Sequence, residues 1–293
     1  MGFVENYIFT FPKNWQINLG TSVDDAVKAF SRENQVGLKA IKDTVIFAVS
    51  GIHSILESTP WIVVVLFVAV LAFYLTRKWY AGIIYGALLT FVGCCGLWLQ
   101  MLQTLSIVIT SVLLCIITGF PLGVLLAVSK KANSVIRPIL DTMQTMPSWV
   151  YLVPAVMLFS VGMTPALIAT TIYAIVPIVR LTSHGLIYVD KEMLEAAYAF
   201  GSTRTQALLK VQIPQAIPTI MTGLNQTIMM AMSMVVTCSL IGANGLGMEI
   251  LLATNRVEMG KSLLPGICIV IVAIILDRLT QHAIRRRGNI TNA

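Results

Sequence analysis

Residues 79–129 read WYAGIIYGALLTFVGCCGLWLQMLQTLSIVITSVLLCIITGFPLGVLLAVS, and no charged side chain occurs in the run. A helix crossing the hydrocarbon core of a bilayer takes about 20 residues, so this run is too long for one crossing and suits two. The polar residues Gln100 to Gln103 mark the expected break. The whole chain agrees: of 293 residues 57% are hydrophobic and only 11% charged, where a soluble domain carries roughly a quarter charged residues. The expected class is an all-α integral membrane protein. The formal net charge of +7 does not point to nucleic acid, because the basic residues fall in small groups between apolar runs, as membrane loops do.

The other apolar runs divide in the same way. Ser58 to Thr76 is one span, closed by Arg77 and Lys78. Thr142 to Val179 has room for two, hinged at Gly162 to Pro165. Val211 to Met248 holds one span after Pro218, ended by the turn Gly242-Ala243-Asn244-Gly245, and the last runs from about Ser262 to Leu279. The expected total is about seven transmembrane helices. With the N-terminus outside, Arg77-Lys78, Lys130-Lys131-Arg137, Lys191-Arg204-Lys210 and Arg285-Arg286-Arg287 all fall on one side, which the excess of Lys and Arg makes cytoplasmic. The organisation expected is an extracytoplasmic tail over residues 1–57, a membrane domain over 58–281 and a basic cytoplasmic tail over 282–293. In the first of these, Val23, Val27, Phe30, Leu38, Ile41, Val45, Val49, Ile52 and Leu56 recur at roughly helical spacing, which suits an amphipathic helix at the interface. MGFVENYIF lacks the basic region and long apolar core of a cleaved signal peptide, and Asn6 stands where myristoylation wants Ser or Thr. Cys94, Cys95, Cys115, Cys238 and Cys268 lie in apolar runs without metal or disulfide spacing, and are read as small buried hydrophobes.

The longest cytoplasmic loop, about 188–216, contains EAAYAFG, Glu195 to Gly201. Asp190 can cap a helix whose first turns hold Glu192 and Glu195, where the dipole favours acids, and Ala196, Ala197 and Ala199 favour helix. Gly201 can take the left-handed conformation that ends it. Ser202 is the expected cap of a second short helix and Pro214 its expected stop. Glu195-Ala196-Ala197, three residues, Gly201, nine residues, then Val211-Gln212-Ile213-Pro214 resembles the EAA loop, EAA-x3-G-x9-I-x-L-P, of permease subunits in ATP-binding-cassette importers. Val for Ile and Ile for Leu are its departures. The resemblance implies a type I importer permease fold, and a first helix (Glu195, Ala196, Ala197, Gly201, with Pro214 beyond) that docks on a separate ATPase subunit.

The likeness extends further. MQTMPSWVYLVPAVMLF (143–159), PIVRLTSHGLIYVD (177–190), LNQTIMMAMSMVVTCSLIGANGLG (224–247) and IVAIILDRLTQ near the end are similar to the proline/glycine betaine transport permeases of that superfamily. This implies a bacterial inner-membrane subunit that forms a homodimer around one pathway, with two ATPase subunits below and a substrate-binding protein outside. Some relatives fuse that receptor after the last span, whereas this chain stops at Ala293, so a separate receptor is expected. The implied solute is a quaternary amine such as glycine betaine, proline betaine, choline or carnitine, with histidine or trimethylamine oxide as alternatives. No cofactor is expected in this chain, ATP and magnesium belonging to the partner, and no nucleic-acid partner.

Asn225, Gln226, Met229, Met230 and Ser233 make the sixth span polar and adaptable, which suits a path that passes a polar solute; helix packing is the alternative. Trp149 and Tyr151 can face a cation or anchor a span at the interface. Arg180, Asp277 and Arg278 sit at span ends, where they snorkel or pair across helices. His53, His184 and His282 have no metal or triad spacing, no catalytic constellation is found, and Gly242 to Gly247 lacks the Lys-Ser/Thr of a phosphate loop. With no Asp or Glu deep in any span, an ion-coupled carrier is the weaker reading.

Overall fold

The computed structural model describes residues 19–291, with side chains from 20 to 283; the signal-peptide and myristoylation readings concern residues outside that range. Helices α1 (Leu19–Glu33) and α2 (Gln35–Ser58) are followed by α3 (Trp61–Thr76), α4 (Trp79–Cys94), α5 (Trp98–Val128), α6 (Lys130–Thr145), α7 (Trp149–Phe159) and α8 (Met163–Ile187). After these come α9 (Lys191–Ala199), α10 (Arg204–Ala207), α11 (Ile213–Cys238), α12 (Leu246–Asn255) and α13 (Met259–Thr291). A π-helical turn, Leu208–Gln212, joins α10 to α11, and a 3-10 turn, Ser239–Ile241, closes α11.

Every apolar segment read as a span is helical, but the segments are not equal. Among the described residues four helices are long and apolar enough to cross a membrane: α5, α8, the continuous piece Arg204–Ile241, and α13 over Met259–Ala283. The segments α3, α4 and α7 are shorter, and α3 meets α2 at 95° across Thr59 and Pro60. In place of a full fourth span, the surface helix α6 turns at Met146 and Pro147 into α7, whose 11 residues reach only about 16 Å at 1.5 Å per residue. The break between the second and third spans also lies earlier than the glutamines. It falls at Gly96, whose φ of +73° is open to glycine and costly for other residues, while Gln100 and Gln103 are inside α5. The expected single amphipathic helix of the N-terminal region is two, parted at Asn34. The second of them, α2, packs on α5, burying Val49 and placing His53 Nδ1 3.3 Å from Ser106 Oγ.

The centre of the molecule is α8, clasped between α5 and α11. A lipid solvent supplies no hydrophobic force between apolar helices, so close contact and internal hydrogen bonding must hold them. Gly119 and Gly123 on α5 provide the contact. A Cβ on Gly119 would lie 2.6 Å from Ile178 Cγ2, and one on Gly123 would lie 2.6 Å from Thr182 Cβ and 2.8 Å from the Val179 carbonyl. Buried hydroxyls on α5 are satisfied within the helix: Ser106 donates to Leu102 O at 2.7 Å, and Ser111 to Ile107 O at 2.8 Å. Of the cysteines, Cys115, Cys238 and Cys268 are buried as expected, Cys95 is half-buried, and Cys94 is exposed at the end of α4.

Candidate functional site

The loop after α8 folds into a capped helix held clear of the bundle. Asp190 Oδ1 accepts from the Glu192 amide at 2.9 Å, starting α9. At the other end the Gly201 amide donates to Tyr198 O at 2.9 Å and the Ser202 amide to Ala197 O at 3.0 Å. This double closure requires a left-handed residue after the cap, and Gly201 supplies it at φ +81°. Glu195, Ala196 and Ala199 are exposed on α9 and Ala197 is half-buried.

The second short helix begins one residue later than expected. Thr203 is its cap, in a reciprocal box in which the Gln206 amide donates to Thr203 Oγ1 at 3.3 Å and the Thr203 amide to Gln206 Oε1 at 2.9 Å. Pro214 does not end this helix. The Ile213 amide bonds the Leu208 carbonyl, five residues back, and this wider turn moves the carbonyl that a proline ring would strike in an ordinary α-helix. The chain from Arg204 to Ile241 is therefore one element of 38 residues. Gln215 Nε2 donates to Met193 Sδ at 3.0 Å, tying α9 to its base.

Sequence reasoning passed over the apolar surface around this helix. Met193, Tyr198 and Leu209 are exposed, and Phe200 is 92% exposed. An aromatic beside the turn glycine was the available signal.

On α11 the candidates separate. Thr222, Gln226, Met229 and Ser233 are exposed and stand three or four residues apart, so they form one stripe. Met230 is half-buried against the core. Asn225 turns away to α13, where its Nδ2 donates to Asp277 Oδ1 at 2.7 Å, and Gln281 donates to the same carboxylate at 2.8 Å. Trp149 on α7 is exposed, but Tyr151 is engaged: its hydroxyl donates to Met143 O and its ring lies 6.1 Å from that of Tyr173. Arg180 is ion-paired with Asp141 of α6, so it and Asp277 bind across helices and do not merely reach for the interface. Among the described residues no group of His, Cys, Asp and Glu is arranged to hold a metal ion.

Three comparisons bear on these features. Residues 119–289 match the family described as binding-protein-dependent transport system inner membrane component. The glycine betaine/proline betaine transport system permease protein ProW of Escherichia coli (strain K12) is 43% identical over 254 residues, covering 86% of this chain and 72% of ProW. The glycine betaine/carnitine transport permease protein GbuB of Listeria monocytogenes serotype 1/2a (strain 10403S) is 47% identical over 225 residues, covering 76% of this chain and 79% of GbuB. In fold, the chain is similar to one from an inward-facing structure of the MetNI methionine ABC transporter, with a TM-score of 0.59 at 22% identity over 63% of this chain and 93% of that one.

Proposed function

The chain belongs to the family of binding-protein-dependent transport system inner membrane components, and from that premise we propose that it forms the path by which an ATP-driven importer admits glycine betaine or a related quaternary amine. It is a multi-pass permease with the all-helical fold of type I importers, not an enzyme. In the proposed assembly two copies enclose the path, and an ATPase subunit docks on α9 of each and holds the ATP and magnesium. A substrate-binding protein delivers solute at the opposite face. The N-terminus is outside and the C-terminus cytoplasmic, in line with the placement of the basic clusters.

The observation that carries the reading is the build of α9. It is fixed at both ends by its own caps, exposed along Glu195, Ala196 and Phe200, and continuous through a short turn with the helix that bears the polar stripe. Small side chains let a partner approach closely, and Glu195 offers one charge to register it. The stripe on α11 suits the cargo: Thr222, Gln226 and Ser233 offer neutral hydrogen bonds, and Met229 adapts its shape, so a zwitterion passes without a strong counter-charge holding it. An ion-coupled carrier calls for a buried carboxylate, whereas among the described residues the buried polar side chains are all Ser or Thr. Glycine betaine and its analogues are preferred to histidine or trimethylamine oxide because both curated relatives above carry glycine betaine in their names.

The test is ATP-driven uptake in proteoliposomes holding the complete complex, with glycine betaine, carnitine and choline offered in turn. The expected result is uptake of at least one of them, lost in Glu195→Arg while the protein remains in the membrane and binds its second copy. Uptake by Glu195→Arg at the wild-type rate overturns the docking role. A complex that hydrolyses ATP and moves none of the three overturns the solute class.

A further inference from the structure

Helix α6 starts from a Ser129 cap, whose hydroxyl accepts from the Ala132 amide at 3.3 Å. Ile136, Leu140 and Met143 pack against the core, while Lys130, Arg137 and the apolar Val135 and Ile139 are exposed. Between this helix and the C-terminal end of α8 lies a cavity of 470 Å³, within the range of about 300–1,000 Å³ usual for small-molecule sites. Its polar wall is Asn133 and Arg137 from α6 with Arg180, Ser183 and His184 from α8 and Tyr188 just past its end, over a floor that includes Leu126 and Leu140. A groove of 310 Å³ beside it brings in Lys130, Ser134 and Asp141.

The charges do not balance. Asp141 is the one carboxylate among these lining residues, and it is taken by Arg180. Arg180 also keeps a buried Nε with no hydrogen-bond partner among the described residues, and neither Arg137 nor Lys130 has an ion-pair partner among them. Forked guanidinium donors beside hydroxyl and amide donors suit a tetrahedral oxyanion. Of the lining residues Ile187 and Tyr188 are exposed, and the exposed Leu125 and Val128 flank the lining Leu126 in sequence, an apolar rim that fits acyl chains better than a soluble anion. We propose that the cavity between α6 and the end of α8 binds the phosphate of an anionic phospholipid headgroup. The proposal rests on the permease reading only for the leaflet, which is the cytoplasmic one. Tyr188 of the cavity wall is two residues before Asp190, the cap of α9, so the bound headgroup braces α6 against the segment from which the docking helix springs.

The test is native mass spectrometry of the detergent-solubilised complex titrated with phosphatidylglycerol, with phosphatidylcholine, and separately with inorganic phosphate. Phosphatidylglycerol is expected to bind more tightly than phosphatidylcholine. Arg137→Gln should weaken it roughly tenfold, the scale of one charge-assisted hydrogen bond lost from a phosphate. Arg137→Lys should recover part of that loss. Lys131→Gln, on the same helix but lining neither cavity, should change it by less than about twofold, since its charge makes no direct contact with the site. Equal losses in Arg137→Gln and Lys131→Gln, or an unchanged affinity in Arg137→Gln, overturn the site. Arg137-dependent binding of inorganic phosphate with no preference between the two lipids overturns the headgroup as its occupant. None of these readouts requires transport, so a failure here is distinct from a failure of the permease reading.

Discussion

A substitution series at Gly201 separates conformation from bulk at the proposed docking helix. Gly201 holds φ at +81°, and a Cβ built there meets no heavy atom within 4 Å. Inside this chain any cost of a side chain is therefore backbone strain and not collision. Placing an L-residue in the left-handed region costs about 1–2 kcal/mol, Asn pays less, and a β-branched residue pays more. A cost of 1–2 kcal/mol lowers the ratio of closed to open helix end by a factor of about 5–30. When the turn opens, the Ser202-to-Ala197 and Gly201-to-Tyr198 hydrogen bonds go with it and the last turn of α9 frays. The expected order of ATP-coupled uptake is Gly, Asn, Ala, Val, with Ala down several-fold and Val close to background, at equal membrane levels. The assay is solute uptake per ATP hydrolysed in proteoliposomes. Wild-type coupling in Gly201→Val would refute the argument. So would an order that follows size, with Ala better than Asn, since that is the signature of a side chain pressing on the ATPase subunit.

Two further outcomes are expected. Asn225→Ala removes a 2.7 Å hydrogen bond to Asp277 and should lower thermal stability in detergent by about 1–3 kcal/mol, because a half-buried carboxylate loses a partner; Asp277→Asn should be milder, and a larger loss in Asp277→Asn contradicts this account. Single cysteines at residues 20–40 should label from outside and those at 200–206 only from the cytoplasm, and labelling of both from one side refutes the proposed orientation.

Much of this was legible from the pattern of charge and glycine. Charge-free runs located the helices because unpaired charge is excluded from hydrocarbon, and Gly201, Asp190 and Gly162 announced their turns because the backbone there needs what those residues offer. The misplaced break at Gln100 to Gln103 has a physical reason: amides do not break helices. Gln100 instead donates to Glu249 of α12 at 3.3 Å, and the true break needed a left-handed residue, Gly96. The π-helical turn at Leu208–Gln212 is hidden, since Leu-Leu-Lys-Val-Gln suits an ordinary helix and only Pro214 hints at a change of register. The sequence groups Asn225 with its neighbours on α11 and does not show its tie to Asp277, 52 positions away. No local pattern reveals a contact of that range.

That hidden turn decides how a push on α9 travels. A helix stopped at Pro214 would leave a flexible joint between the proposed docking surface and the proposed path, and movement of an ATPase subunit docked there would be absorbed. The continuous element Arg204–Ile241 removes the joint. Its 38 residues span about 57 Å at 1.5 Å per residue, from the Thr203 cap beside α9 past the stripe at Thr222, Gln226, Met229 and Ser233. Its midpoint is held against α8 at Gly223, where a Cβ would lie 2.9 Å from Leu181 Cβ and 3.1 Å from the Pro177 carbonyl, so the two helices cannot slide freely. A displacement at the cytoplasmic end of such an element becomes a tilt about that contact. Thr222 sits at the pivot and Gln226, Met229 and Ser233 lie beyond it, so a push at the cytoplasmic end swings the stripe in the opposite sense. In the proposed assembly this reversal turns a push at α9 into a lateral movement of the polar wall of the path.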